Sequence, residues 1–289
     1  MLFRLRAYDE VSSTNAIVKR AIEEGEPEGL AIGARTQTAG YGRQGRTWSS
    51  PDGGAYLSLL LRPRRPPAQL PTLSLVAGVA VRRAIVSLAC DETADRVKLK
   101  WPNDVVLAGD SREAGVVCDA GRPRAARDVD GPSPACASHG RSGVERAPFR
   151  KLSGISLESH AGGICVGIGV NVLRPTRVEA VAGKYAPAYM DSIAGAVAVE
   201  EVRDAVLRQF ATCYERWLER GFAAFEDEYR AHAVLVGRAV TIENVDGTTV
   251  VRGEVEGVDA SGCLIVRPAG AREVVRLSSG EVHLSRIGD

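Results

Sequence analysis

Residues 37–50 read Gln-Thr-Ala-Gly-Tyr-Gly-Arg-Gln-Gly-Arg-Thr-Trp-Ser-Ser, a set of residue types suited to chemistry on an anion. Gly40, Gly42 and Gly45 leave the backbone free to fold tightly around a ligand. Arg43 and Arg46 are permanent cations whose forked N–H groups match carboxylate or phosphate oxygens. Trp48 adds a flat apolar face that can cover an uncharged ring. Such a loop suits a small molecule that joins an apolar body to an anionic head.

The spacing Gly40-x-Gly42-x-x-Gly45 also fits the dinucleotide fingerprint, which needs a strand before it and a helix directly after it. Residues 30–36 supply the strand, but residues 47–54 hold Pro51, Gly53 and Gly54 where the helix should run. About 20 residues further on, where an acidic side chain should meet a ribose, the chain reads Arg62-Pro63-Arg64-Arg65. The dinucleotide reading fails, and a solvated surface loop is the plainer alternative.

Three more polar groups stand out: Ser13-Thr14-Asn15, Lys100-Trp101-Pro102-Asn103-Asp104, and Lys151-Leu152-Ser153-Gly154-Ile155 followed by Gly167-Ile168-Gly169-Val170-Asn171. Each has a plain structural reading. Hydroxyls cap helices, a proline fixes a turn with Trp101 in the core, an exposed lysine ends a strand, and asparagine marks turns.

These groups must be held by regular elements. Ile17, Ala21 and Ile22 share a face and Gly25 is a terminator, which predicts a helix over residues 16–25. Residues 30–36 and 55–61 read as strands flanking the glycine-arginine loop, and residues 72–89 as a buried helix. Short strands at 97–100 and 105–107 bracket the Trp-Pro turn. A hairpin over 151–172, turning at His160-Ala161-Gly162-Gly163, sits at the centre of a mixed sheet. Val202, Ala205, Val206, Phe210, Cys213 and Trp217 line one side of a helix over 200–220, and a second helix runs through Phe225 and Tyr229. From Val236 onward, short β-rich runs separated by Asp246-Gly247, Ser261-Gly262 and Ala269-Gly270 indicate a small antiparallel barrel. The expected domains are 1–235 and 236–289. Residues 108–149, rich in proline, glycine and arginine, read as a flexible insertion in the first.

The chain has 289 residues, 45% of them hydrophobic and 25% charged, with net charge +1, so it can bury a large core and carries no global nucleic-acid footprint. The longest uncharged run, 66–81, contains Pro71 and Gly78 and is too short to span a bilayer. The N-terminus shows no secretory apolar segment, which predicts a cytoplasmic location. Six cysteines without a Cys-x-x-Cys pair and four scattered histidines argue for reduced thiols and against a protein-ligated zinc or iron site.

Taken in order, Ser13-Thr14-Asn15, residues 37–48, Lys100–Asp104, Lys151–Ile155 and Gly167–Asn171 resemble the biotin–protein ligases, and Ser279-Gly280-Glu281-Val282 resembles the family's last barrel strand. The resemblance implies an α+β fold: a central mixed β-sheet flanked by helices, like a class II synthetase, plus the small C-terminal β-barrel. It implies an AMP-forming ligase. Biotin and ATP give biotinyl-5′-adenylate, and the biotinyl group then passes to a lysine of a biotin carboxyl carrier domain of an acyl-CoA carboxylase. Lys151, Arg43 and Arg46 would be catalytic cations opposing the gathered negative charge. Ser13, Thr14, Asn15, Gln37, Gly40, Tyr41, Gly42, Arg43, Trp48, Lys151 and Gly154 would bind biotin or its adenylate. Arg46, Lys100, Asn103, Asp104 and Asn171 would bind ATP, with Mg²⁺ arriving with the nucleotide near Asp104. The loop would order on ligand binding, with Trp48 excluding water.

The chain departs from the family pattern at Tyr41 and Gln44, where relatives commonly carry arginine, and in the length of 108–149. Only 11 residues precede Ser12, which implies no DNA-binding winged helix and hence no operator binding. No membrane partner is expected, and the state is monomer or homodimer. A lipoate- or octanoate-transferring relative is the second reading, disfavoured by Trp48 and the C-terminal strands. A nucleic-acid module is the third, disfavoured by the near-neutral charge and the lack of aromatics among the arginines.

Overall fold

A computed structural model describes residues 1–109, 149–175, 185–244 and 246–284. The expected insertion falls almost wholly outside the described residues. Its two ends do not belong to it: Ala108 and Phe149 pair with each other as strand residues, and Phe149 is buried. Averaged composition hid them, because an aromatic beside a polar segment prefers the core to the loop.

The strands are β1 (Arg4–Val11), β2 (Leu30–Gln37), β3 (Gly54–Leu61), β4 (Val97–Lys100), β5 (Asp104–Ala108), β6 (Phe149–His160), β7 (Gly163–Asn171), β8 (Ala239–Glu243), β9 (Thr249–Val258), β10 (Leu264–Pro268), β11 (Val275–Leu277) and β12 (Glu281–Leu284). The α-helices are α1 (Thr14–Glu23), α2 (Thr72–Val86), α3 (Asp91–Ala94), α4 (Asp191–Ala194), α5 (Val199–Arg220) and α6 (Glu226–His232).

The first seven strands form one sheet in the order β1-β2-β3-β7-β6-β5-β4, parallel only between β1 and β2. It is therefore mixed, with the β6–β7 hairpin at its middle, as the hydrophobic run through 163–172 implied. Side chains alternate across a strand, so the sheet has two faces with different jobs. Leu57, Leu59, Ile155, Val166 and Ile168 point to the main core, where α2 and α5 pack. Helix α5 buries Val202, Ala205, Val206, Phe210, Cys213, Tyr214 and Trp217, the stripe its 3.6-residue period predicted. The opposite face receives α1, whose Val18, Ala21 and Ile22 close a smaller core with Leu30, Ile32, Leu60 and Cys165.

The last five strands form a separate antiparallel sheet in the order β11-β10-β9-β8-β12. Its inward residues, among them Val240, Ile242, Val255 and Val266, are continuous with the main core. Two hydrogen bonds tie it to segments flanking the first sheet: Trp101 Nε1 donates to the Gly262 carbonyl at 3.0 Å, and the Tyr185 hydroxyl to the Val282 carbonyl at 2.9 Å. Trp101, 2% exposed, is thus structural. Among the described residues, no helix is long and apolar enough to cross a membrane.

Candidate active site

The uncovered part of the α1 face carries a cavity of about 240 Å³. Its floor is made largely by small residues. Tyr56, Gly169 and Gly154 are register partners across β3, β7 and β6, and Ser58, Gly167 and Ser156 form the next row. A methyl group on Gly154 or Gly169 would lie 2.8–2.9 Å from the Trp48 ring, so the indole rests directly on backbone. Its Nε1 is buried without a hydrogen-bond partner. Leaving a buried N–H unpaired costs about 1–3 kcal/mol.

One end of the cavity is a polar network. Gln37 Oε1 accepts from the Thr14 amide at 2.9 Å and the Thr14 hydroxyl at 3.0 Å, while its Nε2 donates to Ser50 Oγ at 2.8 Å. Ser58 Oγ lies 2.7 Å from Thr14 Oγ1 and 2.5 Å from Asn15 Oδ1. Asn15 Nδ2 donates to Ser156 Oγ and Glu158 Oε1, both at 3.1 Å. The parallel pairing of β1 with β2 sets Val11 opposite Gln37, which is why the start of α1 meets the end of β2.

The other end gathers charge. Lys151 Nζ sits 2.7 Å from Asp104 Oδ1 and 5.0 Å from the Trp48 ring centre. A register shift between Val105 and Val106 puts Lys151 opposite Val106 and Ser153 opposite Val105, a bulge in β6. Residues three apart in a regular strand face opposite sides; the bulge brings Lys151 over Gly154, within 3.0 Å of where its Cβ would stand. Asn171 Nδ2 donates to the Lys151 carbonyl at 3.0 Å, and the Lys151 amide donates to Ala186 O at 2.8 Å, so its backbone is held from both sides.

The 37–50 loop closes on itself as a hairpin-like lid. Trp48 N donates to Gly40 O at 2.9 Å and Gly42 N to Arg46 O at 2.8 Å, around a tight turn at Arg43–Gly45. Arg43 Nη1 donates to Asn103 Oδ1 at 3.2 Å, and burial pushes the Arg43 pKa down. Arg46 pairs with Glu281 of β12. Lys100 is 5% exposed, with Nζ 4.9 Å from the Tyr185 ring centre; burial drives its pKa down against the pull of Asp104.

A family model for the biotin/lipoate A/B protein ligase family matches residues 8–122. The biotin–[acetyl-CoA-carboxylase] ligase of Paracoccus denitrificans is 32% identical over 249 residues, covering 84% of this chain and 85% of that protein. The chain belongs to the biotin–protein ligase family. The Mycobacterium tuberculosis biotin–[acetyl-CoA-carboxylase] ligase is 28% identical over 279 residues, covering 95% of this chain and 87% of its own length. Among solved structures, the Aquifex aeolicus biotin protein ligase in complex with biotin and ATP superposes with a TM-score of 0.71 at 25% identity, covering 98% of this chain and 99% of that one. This chain is therefore a ligase, with the fold its motifs implied.

On this biotin–protein ligase scaffold, Thr14, Asn15, Gln37, Tyr41, Gly42, Arg43, Arg46, Trp48, Lys100, Asn103, Asp104, Lys151, Gly154 and Asn171 all line the one cavity. Ser13 and Gly40 do not. Ser13 is 4% exposed behind the wall and, although at the N-cap of α1, makes no side-chain capping bond. Gly40 serves the lid itself: a Cβ there would stand 2.6 Å from Ser50 Oγ and 2.7 Å from Trp48 O, blocking closure. Sequence reasoning missed Ser156, Tyr185 and Glu281 in the cavity wall, and the buried Ser58 that bonds Thr14 and Asn15.

In the cavity wall four cations, Arg43, Arg46, Lys100 and Lys151, face two carboxylates, Asp104 and Glu281. Lys100 in particular is buried with no carboxylate bonded to it among the described residues, an arrangement that costs stability. Lys100→Met is expected to raise the unfolding free energy by about 1 kcal/mol while lowering ligase activity. Thermal melts set beside turnover would check it; a variant that is both less stable and fully active contradicts it.

Proposed function

We propose that this ligase activates biotin with ATP and transfers it to a carrier lysine, and that the cavity residues above do the work. The observation that carries the reading is a cluster of cations at one end of a glycine-floored slot whose other end is a neutral hydrogen-bonding network. The ureido ring would sit against Thr14, Asn15 and Gln37, which offer both donors and acceptors. The biotin carboxylate would lie under Trp48 between Lys151 and Arg43. In the first step a carboxylate oxygen bonds to the α-phosphorus of ATP and the bond to the bridging oxygen breaks, releasing pyrophosphate. Fixed cations oppose the charge that builds on the phosphoryl oxygens without reorganising at the moment of reaction. In the second, a carrier lysine amine bonds to the acyl carbon, loses a proton, and AMP leaves.

Lys100 and Arg46 would meet the phosphate tail, and Asn103 and Asn171 the nucleotide. Among the described residues no group of three or more His, Cys, Asp or Glu is placed to hold a metal. Mg²⁺ fits here as a companion of the triphosphate, touching the protein at most through Asp104, because it keeps several waters and prefers oxygen ligands. When bound it would neutralise phosphate charge.

The adenylate is a mixed anhydride that water destroys, so the lid should tighten when the slot fills. Amide exchange of residues 40–47 is expected to slow when biotin and ATP are added together; equal rates with and without them would remove the lid's role. The function itself is tested by incubating the protein with ATP, Mg²⁺, biotin and a biotin carboxyl carrier domain, then probing with avidin. ATP-dependent label on the carrier is the expected result. Label from lipoate instead would move the chain to the other branch of the family.

A further inference from the structure

Outside the cavity wall, one charged side chain is built into the support of the lid. Lys19 lies one turn along α1 from Asn15, and its ammonium pairs with Glu158 Oε2 on β6; the two side chains are 25% and 28% exposed. Glu158 Oε1, the other oxygen of that carboxylate, accepts from Asn15 Nδ2 at 3.1 Å. The same ammonium lies 5.3 Å from the Tyr41 ring centre, within reach of a cation–π contact. Burial acts against the charged lysine, but the contacts with Glu158 and Tyr41 outweigh it and hold the ammonium charged.

Tyr41 is at the neck of the lid, where it bridges to Thr47, two residues before Arg43. The lid's base is Gln37 and Ser50. Lys19 therefore closes a circuit. From the neck it runs through Tyr41, Lys19, Glu158, Asn15, Ser58, Thr14 and Gln37, then returns to the base at Ser50. A lid with three glycines loses much entropy on closing, so a fixed contact at the neck has leverage.

We propose that Lys19 is a positioning residue for the ligase: clasped between Glu158 and Tyr41, it holds the neck of the 37–50 lid shut and sets how long the acyl-adenylate is retained before transfer. The proposal rests on the functional reading above for the identity of what is retained. Lys19 does not line the cavity, so its loss should change escape of the intermediate rather than its formation.

The test uses the full chain and its Lys19→Met, Lys19→Arg, Glu158→Gln and Lys19→Met/Glu158→Gln variants. Two quantities are read: steady-state pyrophosphate release with biotin and ATP but no carrier, and the single-turnover rate of adenylate formation. Lys19→Met is expected to raise carrier-free release about tenfold, the size of effect that goes with one charged hydrogen bond, with an unchanged single-turnover rate. Lys19→Arg, which keeps a cation, should restore retention to within about twofold of the wild type. Adding Glu158→Gln to Lys19→Met should cost little more, because both act through one contact. Wild-type retention in Lys19→Met, or a fall in single-turnover rate matching a fall in melting temperature, would overturn the clasp. If Lys19→Met does not fold, Glu158→Gln, which keeps an acceptor for Asn15 but removes the ion pair, carries the comparison, and wild-type retention there overturns the clasp equally. A wild-type protein that releases no pyrophosphate in response to biotin would instead sink the functional reading and the retention claim with it. Amide exchange at residues 40–47 in ligand-free wild type and Lys19→Met would then still judge the clasp, which requires faster exchange in the variant.

Discussion

Replacing Lys151 with alanine is expected to slow adenylate formation by on the order of 10²–10³, the loss seen when one preorganised donor to a developing charge is removed. The side chain is placed for such a role. Its ammonium is fixed over Gly154 by the β6 bulge, by the Asp104 carboxylate at 2.7 Å and by the Trp48 ring at 5.0 Å. Its backbone is held by Asn171 and Ala186, so little freedom remains to be lost in the transition state. Because the loss falls on the transition state, kcat should drop far more than KM for biotin rises. Stopped-flow pyrophosphate release separates the two. An alanine variant with normal kcat and raised KM would make Lys151 a binding residue only. Asp104, its side chain 11% exposed, would lose its ion-pair partner in that variant, so a modest loss of stability should accompany the rate effect.

Gly167→Ala should be nearly as damaging, by a different route. A Cβ at this position would stand 2.4 Å from Asn15 Oδ1 and 2.5 Å from Ser156 Oγ, and neither is the loose end of a long side chain. Asn15 is locked by Ser58, Ser156 and Glu158, so the added methyl must push α1 off the sheet or break that network. Overpacking of this kind costs about 1–3 kcal/mol of stability. The displaced hydroxyls and amide should also weaken biotin binding by at least about tenfold, the equivalent of one lost hydrogen bond of about 1.4 kcal/mol. Calorimetry with biotin alone reads the second effect. Unchanged affinity would show that the ureido ring sits elsewhere.

The glycines of β7 show how much was legible. Gly167, Gly169 and Asn171 are two apart, which in a strand means one face, and that face is the cavity. The intervening Val166, Ile168 and Val170 read as core and are core. Helix α5 and the β6–β7 hairpin were equally plain, because long periodic runs carry their own signal. Ser58 was not legible: it sits in a strand whose only other polar side chain is Tyr56, and only its pairing with Gly167 reveals the row it belongs to. Glu281 was out of reach for a different reason. It belongs to the second sheet, and its contact with Arg46 spans more than two hundred positions, a separation no local pattern encodes. Gly40 was misplaced because a glycine that lets two chain segments touch looks, in sequence, like one that touches a ligand. The ends of the 108–149 stretch were misplaced because composition was read over the whole segment.

The central claim is that one cavity brings a vitamin's carboxylate and a nucleotide's α-phosphorus together under fixed positive charge. Exchange of labelled pyrophosphate into ATP, measured with no carrier present, tests it most directly. The wild-type enzyme should catalyse exchange only when biotin is added, and Lys151→Ala should lose it. Exchange that proceeds without biotin, or is absent with it while the protein is folded, would contradict the account.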